Sequence, residues 1–63
     1  MEQKFKVLWL SQTSGTLKTF IFDDYVDDQV GRRYVFMNTE TDKTTTINYD
    51  DVGWMITSPY NEL

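Results

Sequence analysis

Apolar residues gather in short runs along the chain, and at helical spacing they recur for no more than about a turn. β-Branched and aromatic residues fill these stretches, and polar turn-forming clusters divide them. That is the pattern of strands and hairpins. The first run is Phe5 to Leu10, followed by the polar loop Ser11-Gln12-Thr13-Ser14-Gly15-Thr16, where Gly15 is free to take a positive φ. The second run is Leu17 to Phe22, extendable to Val26. Asp27 to Gly31 reads as the next turn, and a third strand is expected from about Arg32 to Thr39. A short connection, Glu40-Thr41-Asp42-Lys43, leads to a fourth strand from Thr44 to Tyr49. Asp50-Asp51-Val52-Gly53 reads as a tight turn or one turn of 3₁₀ helix. Trp54 to Thr57 makes a short fifth strand that Pro59 is expected to end, because proline brings no ladder N–H. The tail Tyr60 to Leu63 is expected to fray. Nine threonines add to the preference for strand and turn.

Within the runs the alternation of strand faces has a further consequence. Phe5, Val7 and Trp9 share one face of the first strand, and Lys6, Leu8 and Leu10 share the other. Leu17, Thr19 and Ile21 oppose Lys18, Phe20 and Phe22 in the second. Both faces of both strands carry large apolar groups, whereas a half-exposed sheet alternates cleanly with polar residues. Two arrangements account for this. Strong bending lets one strand serve both halves of a closed barrel and turn different faces inward along its length. Alternatively, one face packs on another copy of the chain, since contiguous apolar surface usually marks an interface.

Five short strands with tight connections predict an all-β fold: one small, strongly bent, five-stranded antiparallel barrel over residues 1–63, with a short 3₁₀ turn before the last strand. The plan is similar to that of SH3-like and Sm-like barrels, the former of which place such a turn before their last strand. The similarity is architectural. The acidic and aromatic ligand signature of signalling SH3 domains is not spelled out, and fold likeness does not carry function.

Sixty-three residues bury only about 60% of the surface their unfolded chain exposes, so stability must come from dense packing, from assembly, or from both. The ten aromatics are Phe5, Trp9, Phe20, Phe22, Tyr25, Tyr34, Phe36, Tyr49, Trp54 and Tyr60. They supply large buried area and leave rings over for a partner. With no cysteine there is no disulfide, and with no histidine either, zinc lacks its usual ligands. The apolar run Val7-Leu8-Trp9-Leu10 is too short for a secretory signal or a membrane span. The expectation is a soluble, cytoplasmic chain with no membrane partner and no cofactor.

Ten acids against six bases give a net charge of −4, which disfavours nucleic-acid phosphates and favours a basic partner surface. The densest acidic segment is Asp23-Asp24-Tyr25-Val26-Asp27-Asp28, with Asp50 and Asp51 further on. Its spacing does not match a calcium loop, so no metal site is predicted. Carboxylates displayed in a row can imitate phosphates, but adjacent acids on a regular strand point to opposite faces, so a loop or bulge would be needed to align them. The plain alternative is a solvated charged turn that keeps the chain soluble and guards a strand edge. Arg32 and Arg33 suit bidentate contact with phosphate or carboxylate. With Lys18 and Tyr34, and with Lys4 and Lys6 nearby, they would form a stacking surface for a nucleotide. Their plain alternative is pairing with the acidic turn beside them. Trp9 is in phase with the core. Trp54 either caps the barrel end or protrudes as an anchor, and Tyr60 is the aromatic expected to be most free.

Catalytic chemistry finds little support. Histidine and a cysteine nucleophile are absent, three scattered glycines build no phosphate loop, and a chain this small offers little cleft for a carboxylate pair. The sequence thus predicts a non-catalytic interaction protein, of the kind a virus or mobile element encodes to inhibit a host enzyme. Asp23, Asp24, Asp27, Asp28, Asp50 and Asp51 would steer it to a basic surface, and Tyr25, Trp54 and Tyr60 would anchor it. The second expectation is a homo-oligomeric barrel binding a nucleotide or nucleic acid between subunits through Lys18, Arg32, Arg33 and Tyr34.

Overall fold

The two-residue alternation slips by one at Asp23, and the fold turns there. Phe20 and Phe22 point into the interior, and the next inward ring is Tyr25, not residue 24. A computed structural model, which describes residues 3–61, places Asp23 as a one-residue bend between two strands that belong to different sheets. The strands are β1 (Lys4–Ser11), β2 (Leu17–Phe22), β3 (Asp24–Asp28), β4 (Arg33–Asn38), β5 (Lys43–Asn48) and β6 (Val52–Tyr60). A 3₁₀ turn at Tyr49–Asp51 separates the last two. β2-β1-β6 form one antiparallel sheet and β3-β4-β5 the other. Among the described residues there is no α-helix, so the all-β expectation holds. The sheets are two separate ladders and do not close into a barrel.

The strand count differs from the expected five because the second run is split. β3 also continues through Asp27 and Asp28, which were expected in a turn; both pair across to β4, Asp27 with Tyr34 and Asp28 with Arg33. The last strand is longer than expected. β6 starts at Val52, not Trp54, and runs through Pro59, which lies opposite Phe5. β6 has a neighbour on one side only, and an edge strand accepts proline where its N–H would face outward. Tyr60 therefore ends a strand, whereas Glu62 and Leu63 of the tail lie outside the described residues.

Between the sheets lie Val7, Trp9, Phe22, Phe36 and Ile47, all buried, with Phe5, Phe20, Tyr34, Val52 and Met55 packed around them. Rings dominate this core. Phe22 meets Phe36 edge-on with centroids 4.9 Å apart, and Phe20 meets Phe36 at 5.2 Å. Such edge contacts add about 0.5–1.5 kcal/mol each beyond area burial, which matters in a domain this small. The two glycines that the backbone requires lie at one end of the β2-β1-β6 sheet, where β1 finishes and β2 and β6 begin. Gly15 takes a φ of +69° in the turn between β1 and β2. Gly53 sits where the β1–β6 register shifts between Leu10 and Ser11, and a side-chain carbon there would come within 3.1 Å of Leu10.

One buried polar group ties this end to the 3₁₀ turn. Ser11 is buried, and its hydroxyl donates to the Asp51 carboxylate at 2.7 Å. The Thr13 amide donates to the same oxygen at 2.7 Å, and the Trp9 indole N–H donates to the Asp51 carbonyl at 2.9 Å. The Gln12 amide also donates to the Asp51 carbonyl, at 3.2 Å, so four hydrogen bonds to one residue pin the 3₁₀ turn to the β1–β2 hairpin.

Candidate functional site

Because the sheets do not close, they leave a cleft on the side where the chain crosses between them. Phe5, Phe22, Tyr25, Tyr34 and Phe36 line it with Met55 and Thr57, and Asp23 and Asp24 complete the lining; its volume is about 620 Å³. β1 contributes Phe5, the end of β2 contributes Phe22, and the bend at Asp23 swings Tyr25 in from β3. The rings form a continuous array. Phe5 stacks on Phe22 at 5.5 Å, Tyr25 stacks on Phe36 at 5.8 Å, and Phe22 meets Tyr25 edge-on at 6.0 Å. Phe22 and Phe36 form a buried floor, whereas Tyr25 is 54% exposed and forms a wall.

The acids at this cleft differ in freedom. The Asp23 carboxylate accepts from the Thr39 hydroxyl and from the Thr39 amide at 3.2 Å. The Thr39 hydroxyl is the main reason that its pKa lies below the ordinary carboxylate value. These bonds hold the bend against the end of β4. Asp24 is exposed and accepts from the Tyr25 amide at 2.9 Å, and no cation pairs with it among the described contacts.

The other acids predicted for partner binding are spread apart. Asp28 accepts from the Gly31 amide at 2.9 Å and from Arg33 Nε at 3.0 Å; the Gly31 amide, then Arg33, lowers its pKa. Asp27 accepts from the Tyr49 hydroxyl, and this bond is the chief cause that pushes the Tyr49 pKa up to about 12. Asp50 pairs with Arg32 at 3.2 Å. Asp51 is committed to Ser11 and Thr13, with the Ser11 hydroxyl the leading cause of its lowered pKa. Asp24 and Asp28 project from one face of β3 and Asp27 from the other, as regular alternation requires. The six carboxylates do not form one row.

Nor do the predicted cations converge. Arg33 pairs with Asp28, and Arg32 pairs with Asp50 while lying over the Tyr49 ring at 5.8 Å. Lys18 belongs to the other sheet and lies over Trp9 at 5.5 Å. Tyr34 faces the cleft, with its ring 4.8 Å from Tyr49. Among the described residues no three acids gather where a metal ion could sit. Trp9 is buried, as its phase predicts. Trp54 is 41% exposed on the outer face of the β2-β1-β6 sheet, so it protrudes and does not cap the core. Tyr60 lies half-buried opposite Lys4.

Sequence reasoning places Tyr25, Asp23 and Asp24 in a binding region but assigns Phe5 and Phe22 to no site. The signal that links them is the phase slip at Asp23, which brings a ring three positions after Phe22 back to the same interior. No protein-family model, curated protein or solved structure matches the chain. The functional argument therefore rests on geometry.

Proposed function

We propose that the protein is a non-catalytic interaction module that occupies a basic surface of another macromolecule, and that a cationic side chain of the partner enters the aromatic cleft. The observation that carries this reading is the conjunction of an accessible ring wall, Tyr25, with an unpaired exposed carboxylate, Asp24, at one cleft. Ring faces carry negative charge density that attracts ammonium and guanidinium groups. A carboxylate at the edge adds a hydrogen-bond acceptor and a charge. The net charge of −4 steers such a partner from a distance at low salt. Asp23 is held by Thr39 and Asp24 accepts from the Tyr25 amide, which supports reading the cleft as a place of occupancy and not of turnover.

The finer architecture belongs to the same reading. The chain crosses between sheets at Asp23, and a 3₁₀ turn precedes the strand that pairs back to β1. This connectivity fits a small SH3-like barrel left open at the cleft. An inhibitor that covers a cation-rich groove of a host enzyme, encoded by a virus or mobile element, is the role that this combination serves best.

Titration with a short lysine- and arginine-rich peptide, followed residue by residue in amide and ring NMR signals, tests the reading. Expected are shifts centred on Phe22, Asp24, Tyr25 and Phe36 that weaken as salt rises. Tyr25→Ala lowers affinity by about fivefold or more. Asp24→Asn, which leaves the hydrogen-bonded acids intact, lowers it less. Equal binding of a glutamate-rich peptide, or shifts confined to the outer sheet faces, would overturn it.

A further inference from the structure

β3 is an edge strand, and among the described residues it pairs with β4 alone. Asp24, Tyr25, Val26 and Asp27 are all exposed along it. The pairing shows which of its backbone groups face the open side. The Asp23 amide donates to the Met37 carbonyl at 3.0 Å, and Asp24 is the register partner of Met37. Two residues thus lie against one, as at a β-bulge, with both amides turned towards the same carbonyl. Alternation then sends the Val26 and Asp28 amides to β4 as well, and the Tyr25 and Asp27 amides to the open side. The Tyr25 amide agrees, because it donates at 2.9 Å to the Asp24 carboxylate and not to the ladder. The Asp27 amide and the Tyr25 and Asp27 carbonyls are left for a further strand, for which an unpaired edge is a template.

We propose that this edge takes an extended, cationic segment of the partner as an added strand. The inference rests on the reading of the cleft as a site for a partner's cation, and it supplies the backbone that carries that cation. The cleft, at about 620 Å³, is the size of a site for a drug-sized ligand and exceeds what one ammonium or guanidinium head fills. Register decides what the segment carries. A residue opposite Tyr25 shares its inner face, so its side chain enters the cleft beside Tyr25 and Phe36. Residues opposite Asp24, Val26 and Asp28 lie on the outer face. A cation fits beside Asp24, whereas Asp28 already holds Arg33. An aliphatic residue fits beside Val26, which is 51% exposed. The segment therefore has lysine or arginine at two neighbouring positions, one for each face, and an aliphatic residue two places from the outer cation.

Charge selects this occupant over others. A second copy of β3, paired antiparallel about Val26, would set Asp24 opposite Asp28 twice over, and like charges directly opposite destabilise a sheet. A nucleic-acid strand would bring phosphates to the same acids. A cationic strand meets opposite charge there and is steered to it by the net charge of −4. Two other edges are guarded in ways that charge does not release. The Asn38 side chain donates to the Ile21 carbonyl of β2 at 3.4 Å, and β6 includes Pro59, which has no N–H. At β3 the guard is the Asp24 carboxylate over the Tyr25 amide. An incoming ammonium or guanidinium competes for that carboxylate and frees the amide for the added strand.

The probe is an end-blocked peptide of about seven residues, within the usual length of a strand, with lysine at two neighbouring positions, valine two places from one of them and threonine elsewhere. Amide hydrogen exchange of the protein, read by NMR, is the measurement. Expected at saturation is an Asp27 amide that exchanges about tenfold or more slowly than in the free chain, with cross-peaks between backbone protons of the peptide and of β3. Asp27→Pro removes the outward N–H at a place where an edge strand accepts proline. It is expected to keep the circular dichroism of the parent and to bind the peptide about fivefold or more weakly than Asp27→Asn, which keeps the N–H. Should Asp27→Pro fail to fold, the exchange rate in the parent decides. Peptide-induced shifts at Phe22, Tyr25 and Phe36 with Asp27 exchange unchanged would overturn the added strand and leave the cation in the cleft standing. No shift at any of these residues would overturn both. Equal protection of Asp27 by a peptide with glutamate in place of lysine would overturn the charge selection.

Discussion

The two sheets bury similar apolar inner faces and differ in what they show to water. The outer face of β2-β1-β6 carries six large apolar residues, Leu8, Leu10, Leu17, Ile21, Trp54 and Ile56, with Lys4 and Lys6 together at one end of β1. The outer face of β3-β4-β5 carries Val26, Val35 and Met37 down its middle, but sets Asp24, Asp28 and Arg33 around them and backs them with Thr44, Thr46 and Asn48. An exposed apolar centre ringed by charge stays solvated, and a wide apolar face does not. The contrast teaches that one sheet surrounds its outer apolar centre with charge, whereas the other gathers its outer charges at one end and leaves the rest of that face apolar. The cleft lies where the two halves part, and it takes its rings from both.

The sharpest way to break this comparison is to cut the shared core and the apolar outer face in turn. Phe36 is buried and touches Phe20, Phe22, Tyr25 and Tyr34. Removing a buried phenylalanine ring costs about 3–5 kcal/mol, and domains below about 70–80 residues rarely hold more than about 3–5 kcal/mol in total. Phe36→Ala is therefore expected to be largely unfolded at 25 °C, with loss of near-ultraviolet circular dichroism. Ile56→Ser, on the outer face, is expected to stay within about 0.5 kcal/mol of the parent in urea melts at low concentration. A loss at Ile56 comparable to that at Phe36 would mean that the outer face belongs to the monomer core.

A smaller effect separates the seams of the fold from its faces. Asp23, Asp28 and Asp51 each hold a bend or turn in place, and each has a pKa below the ordinary value of 3.8. In the unfolded chain these groups take up protons at higher pH than in the fold, so stability rises with pH across that window. The stabilisation is fully present above about pH 5 and is lost as pH falls below 3.8 through the lower folded values. Thermal melts between pH 7 and pH 2 are expected to show a plateau followed by this decline. Asp51→Asn is expected to melt lower than the parent at pH 7 and to show a shallower decline in acid. A parent melting temperature that does not change between pH 5 and pH 2 would contradict the assignment.

How far the sequence reveals these features follows from the range of each cause. Strand and turn positions are local, so Phe5 to Leu10, the Gly15 turn and the 3₁₀ turn ahead of Trp54 emerge from spacing and turn chemistry alone. The two-faced character of the first two runs is equally plain. It has two explanations, however, and sequence does not choose. The bend at Asp23 changes the inward phase between β2 and β3, while β1 keeps Leu8 and Leu10, and β2 keeps Leu17 and Ile21, outward along their whole lengths. The length of β6 was hidden because proline reads as a stop unless the strand is known to lie at an edge. The fates of the acids were hidden for a different reason. Asp51 meets Ser11 across 40 residues and Asp23 meets Thr39 across 16, and such pairings depend on tertiary placement. Only the Asp28–Arg33 pair, five residues apart, follows from neighbourhood.

The finest distinction lies within β3, between Asp27, an acid that serves the fold, and Asp24, an acid at the rim of the cleft. Asp27 receives the Tyr49 hydroxyl, and its carboxylate disfavours a second negative charge on the phenolate. The folded Tyr49 pKa is pushed up to about 12 from an ordinary 10.0. Its neutral form is favoured in the fold, so its stabilising contribution is complete below pH 10 and fades between about pH 10 and 12, as the unfolded phenol loses its proton first. In an alkaline titration of phenolate absorbance, Tyr49 is expected to contribute its share of the four-tyrosine signal only as the pH nears about 12. Asp27→Asn is expected to move that share back towards pH 10 while leaving peptide binding at the cleft unchanged. Asp24→Asn is expected to do the reverse, because Asp24 makes its hydrogen bond to a backbone amide and none to a tyrosine hydroxyl. If Asp27→Asn weakens the cationic peptide and spares the titration, the division between structural and partner-facing carboxylates is drawn in the wrong place.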